Sequence, residues 1–289
     1  MAIILGDNQY GKAENRVVRI YRDSARHEIR DLNVSTALRG PFEPAYLEGN
    51  QTNVLPTDTQ KNTAFAFAKS KGVAAIEDFG LDLARHFVHD VEPVLAARIE
   101  VEEYAWERAV VDGVEHDHTW LRKGQETRTA AVTVDQAGEH VVGGFKDLVL
   151  LKSTGSEYTT LQETHDRVMA TSLIAQWRFT SVDVDWDATY AGIKQLMVKE
   201  FATLQSLALQ QTLWHMGRSV LEAYPFIAEV RLKAPNKHHF VVDLSPFELD
   251  NPGEVFIAAD RPYGLIEATV LRDDAPDAGD AWRISAGLA

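Results

Sequence analysis

The chain contains no cysteine. That excludes disulfide cross-links, thiolate nucleophiles, thiolate zinc sites and iron–sulfur clusters. It also lacks long apolar runs, and none approaches the ~20 residues that a membrane-spanning helix needs. Positive charge is scarce: 29 lysines and arginines stand against 43 aspartates and glutamates, a formal balance of −14. So acidic a chain is poorly suited to nucleic acid or an anionic membrane as partner. An anionic ligand would require local positive charge against the global field. Several catalytic signatures are missing as well: there is no P-loop, no G-x-G-x-x-G, no G-x-S-x-G and no H-E-x-x-H. The opening residues Met1–Asp7 lack the basic flank and apolar stretch of a signal peptide. The closing Gly287-Leu288-Ala289 is not a peroxisomal tripeptide. A cytoplasmic protein is therefore expected.

What is present is the composition of an ordinary globular protein. The 289 residues are 45% apolar and 25% charged, enough for one large domain or two smaller ones. Alternation predicts strands over Arg16–Asp23 and Glu28–Leu38. Two helices follow. Thr57–Lys69 opens on Thr57-Asp58-Thr59-Gln60, the threonine-to-glutamine spacing of a capping box. Ala75–His89 carries Ile76, Phe79, Leu83 and Phe87 on one stripe. Strands at Val94–Arg108 and His118–Lys123 flank the turn signal Val111-Asp112-Gly113.

The second half repeats the pattern. Strands are expected at Thr127–Asp135, Val141–Lys152 and Ser172–Trp186. Asp187 reads as the cap of a helix bearing Tyr190, Ile193, Leu196, Met197 and Phe201. A second helix from Ser206 carries Leu209, Leu213, Met216, Val220 and Leu221. Phe226–Lys233, His238–Leu244 and Leu265–Arg272 read as the last strands. The expected class is α+β: two tandem halves, residues 1–130 and 131–289, each an antiparallel sheet with two helices on one face. Such sheets leave edges and a second face to cover, which favours an oligomer.

His116-Asp117-His118 spaces two histidines at i and i+2, and on a strand both rings share a face. No third metal ligand is apparent in the sequence, so no metal site is assigned. Four other segments are more informative together: Tyr10-Gly11-Lys12, Thr57-Asp58-Thr59-Gln60-Lys61-Asn62-Thr63, Leu209-Gln210-Gln211-Thr212 and Pro235-Asn236-Lys237-His238-His239-Phe240. Tyr158-Thr159-Thr160-Leu161, Asp166-Arg167, Glu254-Val255-Phe256 and Pro262–Glu267 complete the set. Read alone, Thr57 serves equally as a plain helix cap or as part of an anion site, because a helix start presents free N–H groups. Lys12 alone reads as a solvated lysine, and His238 as a core-face histidine alternating with Phe240 and Val242.

In this order and over nearly the whole chain, these motifs resemble the urate oxidase (uricase) family. The resemblance implies the tunnelling fold (T-fold), built from two tandem halves, and homotetramers with active sites at subunit interfaces. It implies oxidation of urate by dioxygen to 5-hydroxyisourate and hydrogen peroxide, with no metal and no organic cofactor. It implies a proton relay of Lys12, Thr57 and His238. Thr57 and the Asp58 backbone would contact urate, and Arg167 and Gln210, with the Leu209 backbone N–H, would grip the ring at opposite edges. Asn236 and Thr57 would hold dioxygen or water above the ring.

One departure stands out. The family pattern carries an aromatic segment, Phe-x-Gly-Phe-x-(Arg/Lys)-Asp, before Tyr-Thr-Thr-Leu, and its first phenylalanine stacks on urate. Here the chain runs from Ser153-Thr154-Gly155-Ser156-Glu157 straight into Tyr158. No stacking role passes to Tyr158. The absence raises an alternative expectation, a purine-binding protein of the same fold with impaired catalysis.

Overall fold

The computed structural model describes residues 3–156 and 164–283, with the side chains of residues 154–156, 164–167 and 260 outside that description. Two compact units separate: Met1–Gly144 with Arg178–Asp187 and Pro276–Ala289, and Phe145–Trp177 with Ala188–Ala275. The expected class, sheet-dominated α+β, is the one observed.

In the first unit the order is β1 (Asn15–Tyr21), β2 (Glu28–Arg39), a short α1 (Glu43–Leu47), α2 (Thr57–Ser70), α3 (Ile76–Asp90), β3 (Ala96–Val111) and β4 (Val114–Asp135). The strands pair antiparallel in chain order. Ile76, Phe79, Leu83 and Phe87 lie on one stripe of α3, and all are buried. That stripe packs on β3 and β4, where Ile99, Val101 and Val132 are buried. Asp112 and Gly113 take φ of 51° and 82°, the left-handed pair that a two-residue hairpin turn requires.

Burying α3 also buries charge. Glu77, 2% exposed in its first turn, accepts from Arg128 at 2.8 Å, and Arg128 also holds Asp187. Arg30 donates to Glu103 at 2.7 Å nearby. Burial pushes the Glu77 carboxyl up to about 7, against the opposing pull of Arg128.

The second order runs β5 (Gly138–Ser156), β6 (Thr164–Phe179), α4 (Trp186–Thr203), α5 (Leu209–Ala223), β7 (Ile227–Val241) and β8 (Phe256–Leu271). β7 and β8 pair antiparallel, and α5 packs on both. Ile193 and Met197 of α4 and Leu213, Met216 and Val220 of α5 are buried, as their spacing predicts. Among the described residues no helix is long and apolar enough to cross a membrane.

Three expectations are corrected. His118–Lys123 and Thr127–Asp135 are one strand, β4, because the chain leaves and rejoins the pairing within it: Tyr104 lies opposite Thr127 and Trp106 opposite Arg122. Gly124, at φ 60°, permits that excursion. Phe226–Lys233 and His238–Leu244 likewise merge into β7: between them Pro235 and Asn236 stay paired with Leu265 and Gly264, and only Lys237 falls in a register shift. The strand placed at Ser172–Trp186 ends at Phe179. Trp186 instead opens α4, its ring edge-on to Phe179 at 5.0 Å and its Nε1 donating to Asp78 at 2.7 Å. Asp187 is the next helical residue, and its carboxylate goes to Arg128.

Candidate active site

The start of α2 departs from the capping-box expectation. Thr57 is the first helical residue, the cap position is Pro56, and no side chain caps the helix. Proline has the extended backbone that a cap position needs but offers no side-chain acceptor. The half-buried Thr57 hydroxyl is thus not consumed by capping, and the first-turn N–H groups stay open to an anion. Asp58 is exposed and turned along its own helix, bound by Lys61 and by Asn62 Nδ2 at 3.3 Å. The Lys61 contact, with a smaller contribution from Lys12, holds its carboxyl below the usual aspartate range. Lys12 therefore lies within electrostatic reach of this helix start.

What brings Lys12 there is a close backbone approach. Tyr10 bridges Leu38 in β2, and Thr36 N–H donates to the Lys12 carbonyl at 2.9 Å. A Cβ on Gly11 would stand 1.7 Å from the Thr36 carbonyl oxygen. Only glycine fits between Tyr10 and Lys12. Gln60, expected to cap the helix, is fully buried and bonded to Thr36 instead.

The second unit carries the other described residues. Leu209 and Gln210 open α5, again with no side-chain cap. Leu209 is buried in the core, and Gln210 is exposed. Thr212, in the same turn, is fully buried and donates to Ser206 Oγ at 2.7 Å. Asn236 and His238 sit half-buried on β7. Asn236 pairs with Gly264 and His238 with Ala259, so residues 260–263 of β8 bulge out opposite Lys237. The extra residues lie on β8, so β7 keeps its alternation, with His238 and Phe240 on one face. The His238 ring stacks on Phe240 at 5.9 Å. His239 points elsewhere, with Nδ1 3.3 Å from the Lys237 carbonyl.

Arg167 lies in β6, but its side chain and that of Asp166 fall outside the described residues, as does the motif Tyr158–Leu161. The structure places His27 beside His118, with ring centroids 5.7 Å apart, and His116 4.4 Å from His118. Still, no three potential ligands converge on a metal position among the described residues. Sequence reasoning missed Thr36 and the β8 bulge. Thr36 is one more residue in an alternating strand, and a bulge depends on cross-strand register that no local pattern carries.

A repeated order of two strands, a helix pair and two strands fits the class the resemblance implies, a tandem T-fold protein. Comparison with known proteins agrees. The uricase family profile matches residues 8–133 and again 141–267. The chain is 48% identical to the uricase of Arthrobacter globiformis, over 99% of this chain and 96% of that one. It is 34% identical to the uricase of Schizosaccharomyces pombe, over 91% and 96%. The crystal structure of the Arthrobacter globiformis uricase superposes with a TM-score of 0.90 at 47% identity, covering 96% of this chain and 98% of that one. A uricase from Bacillus fastidious superposes with a TM-score of 0.79 at 26% identity, over 94% and 96%. The chain belongs to the uricase family, and urate oxidase activity goes with that membership. Similarity along nearly the full length favours this enzyme over the impaired purine-binding alternative.

Proposed function

We propose that the chain oxidises urate in a homotetramer, using two groups of residues brought together at subunit interfaces. Urate, dioxygen and water give 5-hydroxyisourate and hydrogen peroxide, two electrons passing from the purine to oxygen. The helix start at Thr57 and Asp58 receives the urate anion through the Thr57 hydroxyl and the Asp58 N–H. Arg167 offers a planar, charged fork to one edge of the ring. Gln210, with a donor and an acceptor on one amide, suits the opposite edge, assisted by the Leu209 N–H. Lys12 supports proton transfer through Thr57, and His238 completes the relay. Asn236 and Thr57 hold dioxygen or water over the ring. No metal or organic cofactor takes part in this reading. The tandem halves divide as residues 1–130 and 131–289, and the protein works in the cytoplasm.

The observation that supports this reading is a helix start at Thr57 with no side-chain cap, within electrostatic reach of a lysine whose backbone is held by Gly11 and Thr36. The test is oxygen uptake and loss of urate absorbance on adding urate to the purified protein. Both are expected in the wild type and both collapse in Lys12→Ala and Thr57→Ala. Normal turnover in the two variants would overturn the relay.

A further inference from the structure

Lys12 and Thr57 sit on separate segments, so their spacing depends on what ties those segments together. The tie is a buried polar bridge. Thr36 Oγ1 in β2 accepts the Lys12 backbone N–H at 3.0 Å. The same hydroxyl lies 2.6 Å from Gln60 Oε1 and 3.5 Å from the Lys12 carbonyl. A hydroxyl has one proton to give, and the shorter contact takes it. Gln60 Nε2 donates to the Leu55 carbonyl at 3.3 Å, which also receives the Tyr10 hydroxyl at 3.0 Å. A carbonyl can only accept, so the Gln60 amide has one permitted orientation. Tyr10 and Lys12 flank Gly11, and Gln60 lies one turn beyond Thr57. The bridge therefore grips the lysine segment at both ends and holds it to the first turn of α2.

Filling that space does not require an amide. Gln60 is fully buried, and a methionine of similar length would avoid desolvating a polar group. What the amide adds is a directional link between two backbones. We infer that Gln60, acting through Thr36, is a positioning residue that sets the Lys12-to-Thr57 spacing, an inference that rests on the relay proposed above. A relay is sensitive to such spacing: a misplacement of ~1 Å can cost on the order of a hundredfold in rate.

The experiment compares kcat and KM for urate in the wild type, Lys12→Ala, Gln60→Met, Lys12→Ala/Gln60→Met, Thr36→Val and Thr36→Ser, with thermal unfolding of each. Gln60→Met and Thr36→Val are expected to lower kcat about 10- to 100-fold with a smaller change in KM. Thr36→Ser keeps the hydroxyl and is expected within about threefold of wild type. The double variant should be no slower than Lys12→Ala alone, because Gln60 acts only through the lysine. Additive losses, or a folded Gln60→Met with wild-type kcat, would overturn the inference while leaving the relay intact. If Gln60→Met does not fold, Thr36→Val against Thr36→Ser decides: equal kcat in the two overturns it. A wild type that consumes no oxygen with urate would instead refute the proposed function itself.

Discussion

The two orders of elements are the same, yet they place their candidate site residues differently. In the first, Thr57 opens α2, the leading helix of its pair. In the second, Leu209 and Gln210 open α5, the trailing helix. Packing obeys the repeat. Gly80 of α3 lies against Val132 of β4, and Gly217 of α5 lies against Val270 of β8. The irregularities obey it too: residues 123–126 leave the pairing between β3 and β4, and residues 260–263 leave it between β7 and β8. Tyr104 and Trp106 are the paired residues flanking the first bulge, and Asn236 and His238 those flanking the second. One scaffold thus recurs, while the residues with chemistry to offer break its symmetry. Burial needs only apolar side chains of suitable size at equivalent places, whereas an asymmetric ligand needs different groups on its different edges.

That contrast can be broken experimentally. The largest effect separates the two helix starts. Lys12→Ala is expected to lower kcat by roughly 10²- to 10⁴-fold, the range for losing acid–base assistance. If Gln210 grips the ring as proposed, Gln210→Ala loses about 1–2 kcal/mol of contacts, so KM is expected to rise roughly 5- to 30-fold with kcat much less affected. Steady-state oxygen uptake resolves the two, and a kcat effect of the same size in Gln210→Ala would erase the distinction.

A smaller effect tests the packing repeat. A Cβ on Gly217 would meet two Val270 side-chain atoms at 2.6 and 2.7 Å; on Gly80 it would meet one Val132 methyl at 2.9 Å. Alanine also gains about 1 kcal/mol of helix propensity over glycine. Gly217→Ala should therefore lose about 1–2 kcal/mol, and Gly80→Ala should lie within about 1 kcal/mol of wild type. Denaturant midpoints measure both, and the reverse order would contradict the contacts.

A pH-dependent effect belongs to the first unit alone. With its carboxyl raised by burial to about 7, Glu77 binds a proton more tightly folded than unfolded. Stability from this group is present at low pH and declines as pH rises from the ordinary glutamate range towards 7. Arg128, Arg30, Glu103 and Asp187 share the cluster, so Glu77→Gln should flatten that decline without abolishing it. Unfolding midpoints at pH 5 and pH 8 in both proteins provide the check.

Much of this molecule was legible in its residues. The stripe Ile76, Phe79, Leu83, Phe87 sets the buried face of α3 because helical period and burial are local matters. Asp112-Gly113 specifies its hairpin because few residues accept positive φ. The order of strands and helices follows from such local signals, and the family from motifs spread along the chain. The tertiary structure alone decided the rest. Nothing near Thr57 reveals that Pro56 takes the cap position and that Gln60 turns inward to Thr36, twenty-four residues earlier. Nothing near Asn236 reveals a bulge in a strand more than twenty residues later. Periodicity records which way a side chain faces, but a hydrogen-bond partner or a register shift is settled only when distant segments compete for the same donor or the same edge.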